Sequence, residues 1–210
     1  MTTKDQTIGG WLEVLASDSP TPGGGAVAAV VGAAGAALIS MTGRLTIGRK
    51  GFEDLEERMT ALVERADRER EAFVASAEDD MTSFDAVMAA FRMPKETEDE
   101  KAERSSAIQR GYEGAAVVPL GIARRAVDLM ELAEDAAAMG NPNAASDGYS
   151  AGAMLYAAAL TAIANVRINA AALKDREKTD RLLKEVESLR VRADALLDQT
   201  QEAFLLRLSS

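Results

Sequence analysis

The chain has no cysteine and no histidine among its 210 residues. Without cysteine there are no disulfides, no thiolate nucleophiles and no thiolate metal sites. Without histidine the commonest general base and transition-metal ligand are gone. Catalysis therefore has to draw on Asp, Glu, Lys, Tyr, Ser, backbone groups or the substrate itself. No metal site is read, although an oxygen-ligand metal stays open. Aromatics are only 4% of residues, so the core is built from Ala, Leu, Val and Met, which favours closely packed helices. Basic residues are outnumbered 24 to 34, for a net charge of −10. That balance offers no basic face for phosphates and argues against nucleic acid as a partner. An anionic small molecule fits only if positive charge is gathered locally. The N-terminus lacks a basic region followed by an apolar one, so no secretory signal is read and a cytoplasmic protein is expected. No segment reads as a strand, and no repeat of 20–50 residues is evident.

What is present is a sizeable apolar fraction, 47%, enough for a single all-helical domain over residues 1–210. The organising stretch is Ser17 to Gly25, Ser-Asp-Ser-Pro-Thr-Pro-Gly-Gly-Gly. Pro20 and Pro22 fix two φ angles and remove two amide donors, so the segment enters extended. Gly23, Gly24 and Gly25 leave the backbone bare before a helix whose first turn has unpaired N–H groups, a candidate anion site. The alternative is a simple stop before a tightly packed helix. The run Ala26 to Gly43 has 18 uncharged residues, close to the transmembrane threshold. Its Ala/Gly composition points instead to a buried core helix, with Ala28, Gly32 and Ala36 as a ridge for close contact, and no membrane is expected.

Further helices are read at 6–16, 52–91, 101–117, after Pro119 to 139, 150–173 and 178–208, with Pro119 breaking or kinking the chain between two of them. The expected fold is all-α, an elongated bundle of about seven to nine helices. So many small-residue faces leave apolar surface on a monomer, and a homodimer is expected. In the long helix ending at Phe91, Asp80 is in phase with Phe73, Ala77 and Phe84, and reads as a seam edge facing water. Asp85 lies four after Met81 and three before Met88, and reads as the carboxylate drawn into a cleft. Arg44, Arg49 and Lys50 gather at the end of the uncharged helix, as dipole complements or as a local basic patch.

A second punctuated segment is Gly140-Asn-Pro-Asn-Ala-Ala-Ser-Asp147. Gly140 reads as a helix C-cap, and Asn143, Ser146 and Asp147 as caps for the next helix. In that helix Arg167 is flanked by Ile163, Ala164, Ala170 and Ala171. It therefore does not sit on a polar face and needs an acidic partner or an anionic ligand, with Asp85 and Asp147 as candidates.

An ordered set of segments carries a resemblance. Ser19-Pro-Thr-Pro-Gly-Gly-Gly-Ala, Leu45-Thr-Ile-Gly-Arg-Lys, Asp79-Asp-Met-Thr-Ser-Phe-Asp-Ala-Val, Met93-Pro-Lys-Glu-Thr, Val118-Pro-Leu, Gly140-Asn-Pro-Asn-Ala-Ala-Ser-Asp and Asn165-Val-Arg-Ile-Asn follow in turn. Together they resemble the cyclodeaminase/cyclohydrolase family, across roughly residues 6–200. That resemblance implies an all-α homodimer acting on the one-carbon unit of tetrahydrofolate, with no cofactor beyond that substrate. One family activity hydrolyses 5,10-methenyltetrahydrofolate to 10-formyltetrahydrofolate. The other closes 5-formiminotetrahydrofolate to the methenyl form and expels ammonia. Stand-alone chain length favours the cyclohydrolase. The chain departs from the family pattern at Arg44, at Arg49-Lys50-Gly51-Phe52 and at Gly148-Tyr-Ser-Ala-Gly after Asp147, which bears on substrate choice more than on fold.

Hydrolysis of a cationic amidinium carbon needs an oriented water, a base and a proton for the departing nitrogen. With no histidine a carboxylate is the natural base, and it also attracts the cation. Asp85 or Asp147 is expected in that role, the other paired with Arg167. Asn141, Asn143 and Asn169 would orient the pterin edge, the water or the turn. Pro22 and the three glycines would let backbone approach the ligand. Arg49 and Lys50 would meet the folate glutamate carboxylates. The competing class is a non-catalytic folate-binding or scaffold protein.

Overall fold

The computed structural model describes residues 2–209 and is all-helical over them, with no strand. Six α-helices follow in order: α1 (Ile8–Leu15), α2 (Gly24–Arg44), α3 (Glu56–Phe91), α4 (Glu98–Met139), α5 (Ala145–Ala171) and α6 (Arg176–Leu208). Short 3₁₀ turns occupy Thr3–Asp5, Glu53–Leu55 and Pro142–Ala144. Several helices start where the sequence supplies a cap. Thr7 accepts from the Gly10 amide at 3.1 Å, and Asp175 accepts from the Lys178 amide at 3.1 Å. Thr97 and Glu100 form a reciprocal capping box at the head of α4. The exceptions are α2, α3 and α5, which open on Gly23, Leu55 and Ala144 with no side-chain cap.

The count is below the expected seven to nine because α4 runs unbroken through Pro119 for 42 residues, about 63 Å. A proline inside a helix removes one amide donor and strands the carbonyl four residues earlier. Here that carbonyl belongs to Ala115, and the side chain of Asn169 on α5 donates to it at 2.7 Å. The lost bond is replaced from outside the helix, so the helix persists. The start of α5 is also earlier than read. Asp147 lies within its first turn and caps nothing, and Asn143 and Ser146 do not cap it either.

Cross-helix contacts set the topology. Gly32 of α2 meets Phe73 of α3, Gly35 meets Leu155 of α5, Gly148 of α5 meets Ala137 of α4, and Glu113 of α4 pairs with Lys178 of α6. Residue numbers therefore run in opposite directions between α2 and α3, α3 and α4, and α4 and α5, while α6 returns alongside α4. The expected ridge is in the core: Ala28 and Ala36 have no exposure and Gly32 is buried. At Gly32 a Cβ would lie 2.7 Å from the Phe73 ring, which is itself fully buried. Absence of a side chain on α2 thus makes room for a large one on α3. α6 is amphipathic, with Val186, Ala193, Leu196 and Thr200 turned inward. In α1 the buried residue is Trp11, while Ile8 and Leu12 face outward. Both α2 and the stretch Pro142–Ala171 are long and apolar enough to cross a membrane, and each has about half of its most apolar window buried in the bundle.

Glycine substitutions separate packing from propensity. A Cβ at Gly148 would lie 2.6 Å from the Ala137 backbone nitrogen, which cannot move aside, whereas Gly114 and Gly121 of α4 face open space. Gly148→Ala should cost about 1–3 kcal/mol in urea unfolding. Gly121→Ala should gain about 0.5–1 kcal/mol.

Candidate active site

The bare start of α2, the second half of α3, the first half of α4 and the last turns of α5 meet at one end of the bundle. They enclose a cleft of about 680 Å³, within the usual range for a small-molecule site. Its floor is Pro20, Thr21 and Gly23 to Gly25. One wall is a stripe of α3: Asp80, Ser83, Phe84, Val87, Met88 and Phe91. These positions follow spacings of three and four, so they share one helix face. Opposite stand Tyr112 and Ala115 of α4, with Asn165, Ile168 and Asn169 of α5. The chain has only five phenylalanines and three tyrosines, and Phe84, Phe91 and Tyr112 are all here. Phe91 and Tyr112 pack edge to face at 6.2 Å, and Arg104 lies over Phe91 at 5.5 Å.

Among the described residues Asp80 is the one acidic or basic side chain lining this cleft. Its carboxylate lies directly against the Gly25 Cα, where any Cβ would overlap it. The Ala26 amide, in the first turn of α2, donates to it. The helix N-terminus does receive an anion, as its uncapped glycines allow, and the anion is the protein's own carboxylate. Burial raises the Asp80 carboxyl above its ordinary value, and the Ala26 hydrogen bond opposes that rise without cancelling it. Gly24 is held as closely on the other side, since a Cβ there would lie 3.0 Å from Asn165 Nδ2. Gly24 and Gly25 are thus closely approached, whereas a Cβ at Gly23 would meet nothing nearer than 3.7 Å.

The other expected residues divide. Asn169 lines the cleft, and Pro22 is buried just beneath the floor. Asp85 is exposed and outside the cleft. It is five residues from Asp80, about 140° around the helix, so its phase with two methionines does not carry it inward. Arg167 is also exposed and pairs with Glu187 of α6 at 2.8 Å, not with Asp85 or Asp147. Its alanine neighbours misled, because Ala164 and Ala171 are themselves exposed. Asn141, Asn143, Asp147, Arg49 and Lys50 cluster at the other end of α2, about 30 Å along its axis. There the Asn141 amide donates to Thr46 Oγ1 at 2.8 Å, its side chain donates to the Leu45 carbonyl at 3.1 Å, and its Oδ1 accepts from the Asn143 amide at 3.0 Å. Arg49 and Arg207 both lie over the Phe52 ring, at 5.8 and 6.0 Å. The second punctuated segment is thus a folded corner and not a wall of the cleft. Sequence reading passed over Asp80 as water-facing and did not single out Asn165, Ser83, Phe84 or Tyr112. The available signal was the in-phase set 80, 84, 87 and 91, together with two asparagines four apart on α5.

Comparison with known proteins gives the following. Residues 7–188 match the family described as Formiminotransferase-cyclodeaminase. The chain is 41% identical over 198 residues to a methenyltetrahydrofolate cyclohydrolase of Methylorubrum extorquens, with 94% of this chain and 95% of that protein covered. It is 34% identical over 202 residues to the formimidoyltransferase-cyclodeaminase of Mus musculus, of which it spans 36%. The crystal structure of formiminotetrahydrofolate cyclodeaminase from Thermotoga maritima superposes with a TM-score of 0.86 at 30% identity, covering 96% of each chain.

The raised Asp80 carboxyl has a signed consequence for stability. Burial favours the neutral form, so its contribution is fully present below the unfolded-state value of 3.8 and is lost as pH rises through the higher folded-state value. Asp80→Asn, which stays neutral, should match the wild type in urea midpoint at about pH 3.5 and exceed it near neutrality.

Proposed function

Because the chain belongs to the formiminotransferase-cyclodeaminase family, we propose that it is a methenyltetrahydrofolate cyclohydrolase, converting 5,10-methenyltetrahydrofolate to 10-formyltetrahydrofolate. The observation that carries this choice is the 41% identity, end to end, with the Methylorubrum extorquens cyclohydrolase. Length alone does not carry it, since the Thermotoga maritima cyclodeaminase is matched over 96% of its chain as well. Asp80 supports the chemistry. A single carboxylate in an aromatic-lined cleft attracts the cationic amidinium and can take a proton from water. A carboxyl raised by burial lies closer to the working pH, where a base is most effective. Water oxygen bonds to the methenyl carbon as Asp80 accepts one of its protons. The carbon–N5 bond then breaks, N5 takes a proton back, and the hydroxyl loses its own to leave the 10-formyl group, with one proton released overall. Phe84, Phe91 and Tyr112 offer flat faces to the planar rings of the substrate. No cofactor beyond the substrate is needed. Arg49, Lys50, Asn141, Asn143, Asp147 and Arg167 have no part in this reading.

The second reading is cyclodeamination, favoured by the Thermotoga maritima structure. There Asp80 would give its proton to the departing ammonia. Following the methenyl chromophore with purified protein decides: accelerated loss supports hydrolysis, whereas ammonia release from the formimino substrate without it supports cyclodeamination. Neither activity would leave a folate-binding or scaffold role. In the hydrolysis assay Asp80→Asn should lower kcat/KM about 10²–10⁴-fold with an unchanged circular dichroism spectrum. Asp85→Asn and Asp147→Asn should stay close to wild type. The wild-type acid limb should lie above the ordinary aspartate range, because activity is lost as Asp80 is protonated.

A homodimer is the second part of the proposal. The neighbouring helices α2 and α5 turn uncharged stripes outward, with Met41 38%, Leu45 49%, Met154 38% and Ile168 71% exposed and Ala34, Ala157 and Ala164 open between them. A second copy of the chain would cover this face. Sedimentation should report a dimer, and Ala164→Glu should shift it to monomer.

A further inference from the structure

Two asparagines of the cleft have their amide groups already committed. Asn165 Nδ2 donates to the Thr161 carbonyl of its own helix at 2.9 Å. Asn169 Nδ2 donates to the Ala115 carbonyl of α4 at 2.7 Å. The second bond exists because of Pro119. In an unbroken helix the amide at position 119 would occupy that carbonyl, and proline has none. The carbonyl is buried, with Ala115 only 6% exposed, so leaving it unmet would be costly. Asn169 therefore has one favoured orientation, NH₂ toward α4. Its Oδ1, like that of Asn165 one turn earlier, has no hydrogen-bond partner among the described residues, and both side chains line the cleft.

We propose that Asn165 and Asn169 present fixed carbonyl oxygens to the cleft as a paired acceptor for the N–H edge of a fused-ring ligand, and that Pro119 is the positioning residue that sets the second of them. The cleft would then read the ligand's donor edge with side-chain oxygens, separately from the carboxylate that meets its cationic carbon. Asn165 and Asn169 are specificity residues, and Pro119 acts only through Asn169. A helix-breaking residue is kept inside α4 because the carbonyl it frees orients a side chain on another helix.

The nature of the ligand rests on the folate reading, but the orientation does not, and the experiment separates the two. Four proteins are compared: wild type, Asn169→Ala, Pro119→Ala and the double variant. In urea unfolding, Asn169→Ala should raise the unfolding constant about tenfold or more, because it orphans the Ala115 carbonyl. In the Pro119→Ala background, where α4 supplies its own amide, the same change should have little effect. Equal losses in both backgrounds would overturn the proposal. In turnover of 5,10-methenyltetrahydrofolate, Pro119→Ala should raise KM about three- to tenfold with a smaller change in kcat, although the protein is at least as stable. The double variant should match Asn169→Ala. A wild-type KM for Pro119→Ala, or additive effects in the double variant, would also overturn it. If the wild type turns over neither folate substrate, the functional reading fails, and the unfolding cycle still decides the orientation.

Discussion

One contact organises this molecule, the Asp80 carboxylate laid on the uncapped first turn of α2. It explains why that turn has no side chain to close it and why an acid lies in an otherwise apolar seam of α3. It also puts this carboxyl on a rigid scaffold, between a helix terminus that favours negative charge and an apolar cleft that disfavours it. Burial outweighs the Ala26 amide, so the Asp80 carboxyl lies above its ordinary value. A chain with no histidine thereby holds a carboxyl above its ordinary value at the edge of an aromatic-lined cleft.

The scaffold around that contact is built from side chains that are missing as much as from those present. Glycine and alanine along α2 let α3 and α5 come close, and the space released is filled by Phe73 and Leu155. Because aromatic residues are few, their placement is informative. Phe73 fills the core, Trp11 anchors α1, and Phe84, Phe91 and Tyr112 shape the cleft. Charge is arranged around the outside. Pairs such as Arg44 with Asp67 and Arg192 with Asp128 and Glu131 tie neighbouring helices at exposed positions, where such pairs add only modest stability.

Much of the fold was legible because helical periodicity and caps are local properties. α3 and α6 were read nearly to their ends, and the Ala28, Gly32, Ala36 ridge is in the core. Pro119 does not break α4, because its missing donor is compensated from α5, 50 residues later in the chain. The cleft was less legible. Gly23, Gly24, Gly25 and Asn169 do line it, and bare backbone and an amide on an apolar helix stand out in sequence. Asp85 was preferred to Asp80 on its proximity to methionines, but a difference of five residues turns a side chain well away from its neighbour's face. Arg167 was taken as buried because alanines surround it, and alanine is equally at home on a surface that α6 leaves open. Asn141 to Asp147 looked like a binding turn and is a corner held by Thr46 and Leu45.

The floor of the cleft includes Gly24 and Gly25, with Asn165 and Asp80 pressed against them. At Gly24 and Gly25 even the smallest added side chain would press on Asn165 or Asp80. Substitution there would reshape the floor before it touched a ligand, so the positions free to tune what the cleft accepts are the side chains of the α3, α4 and α5 walls.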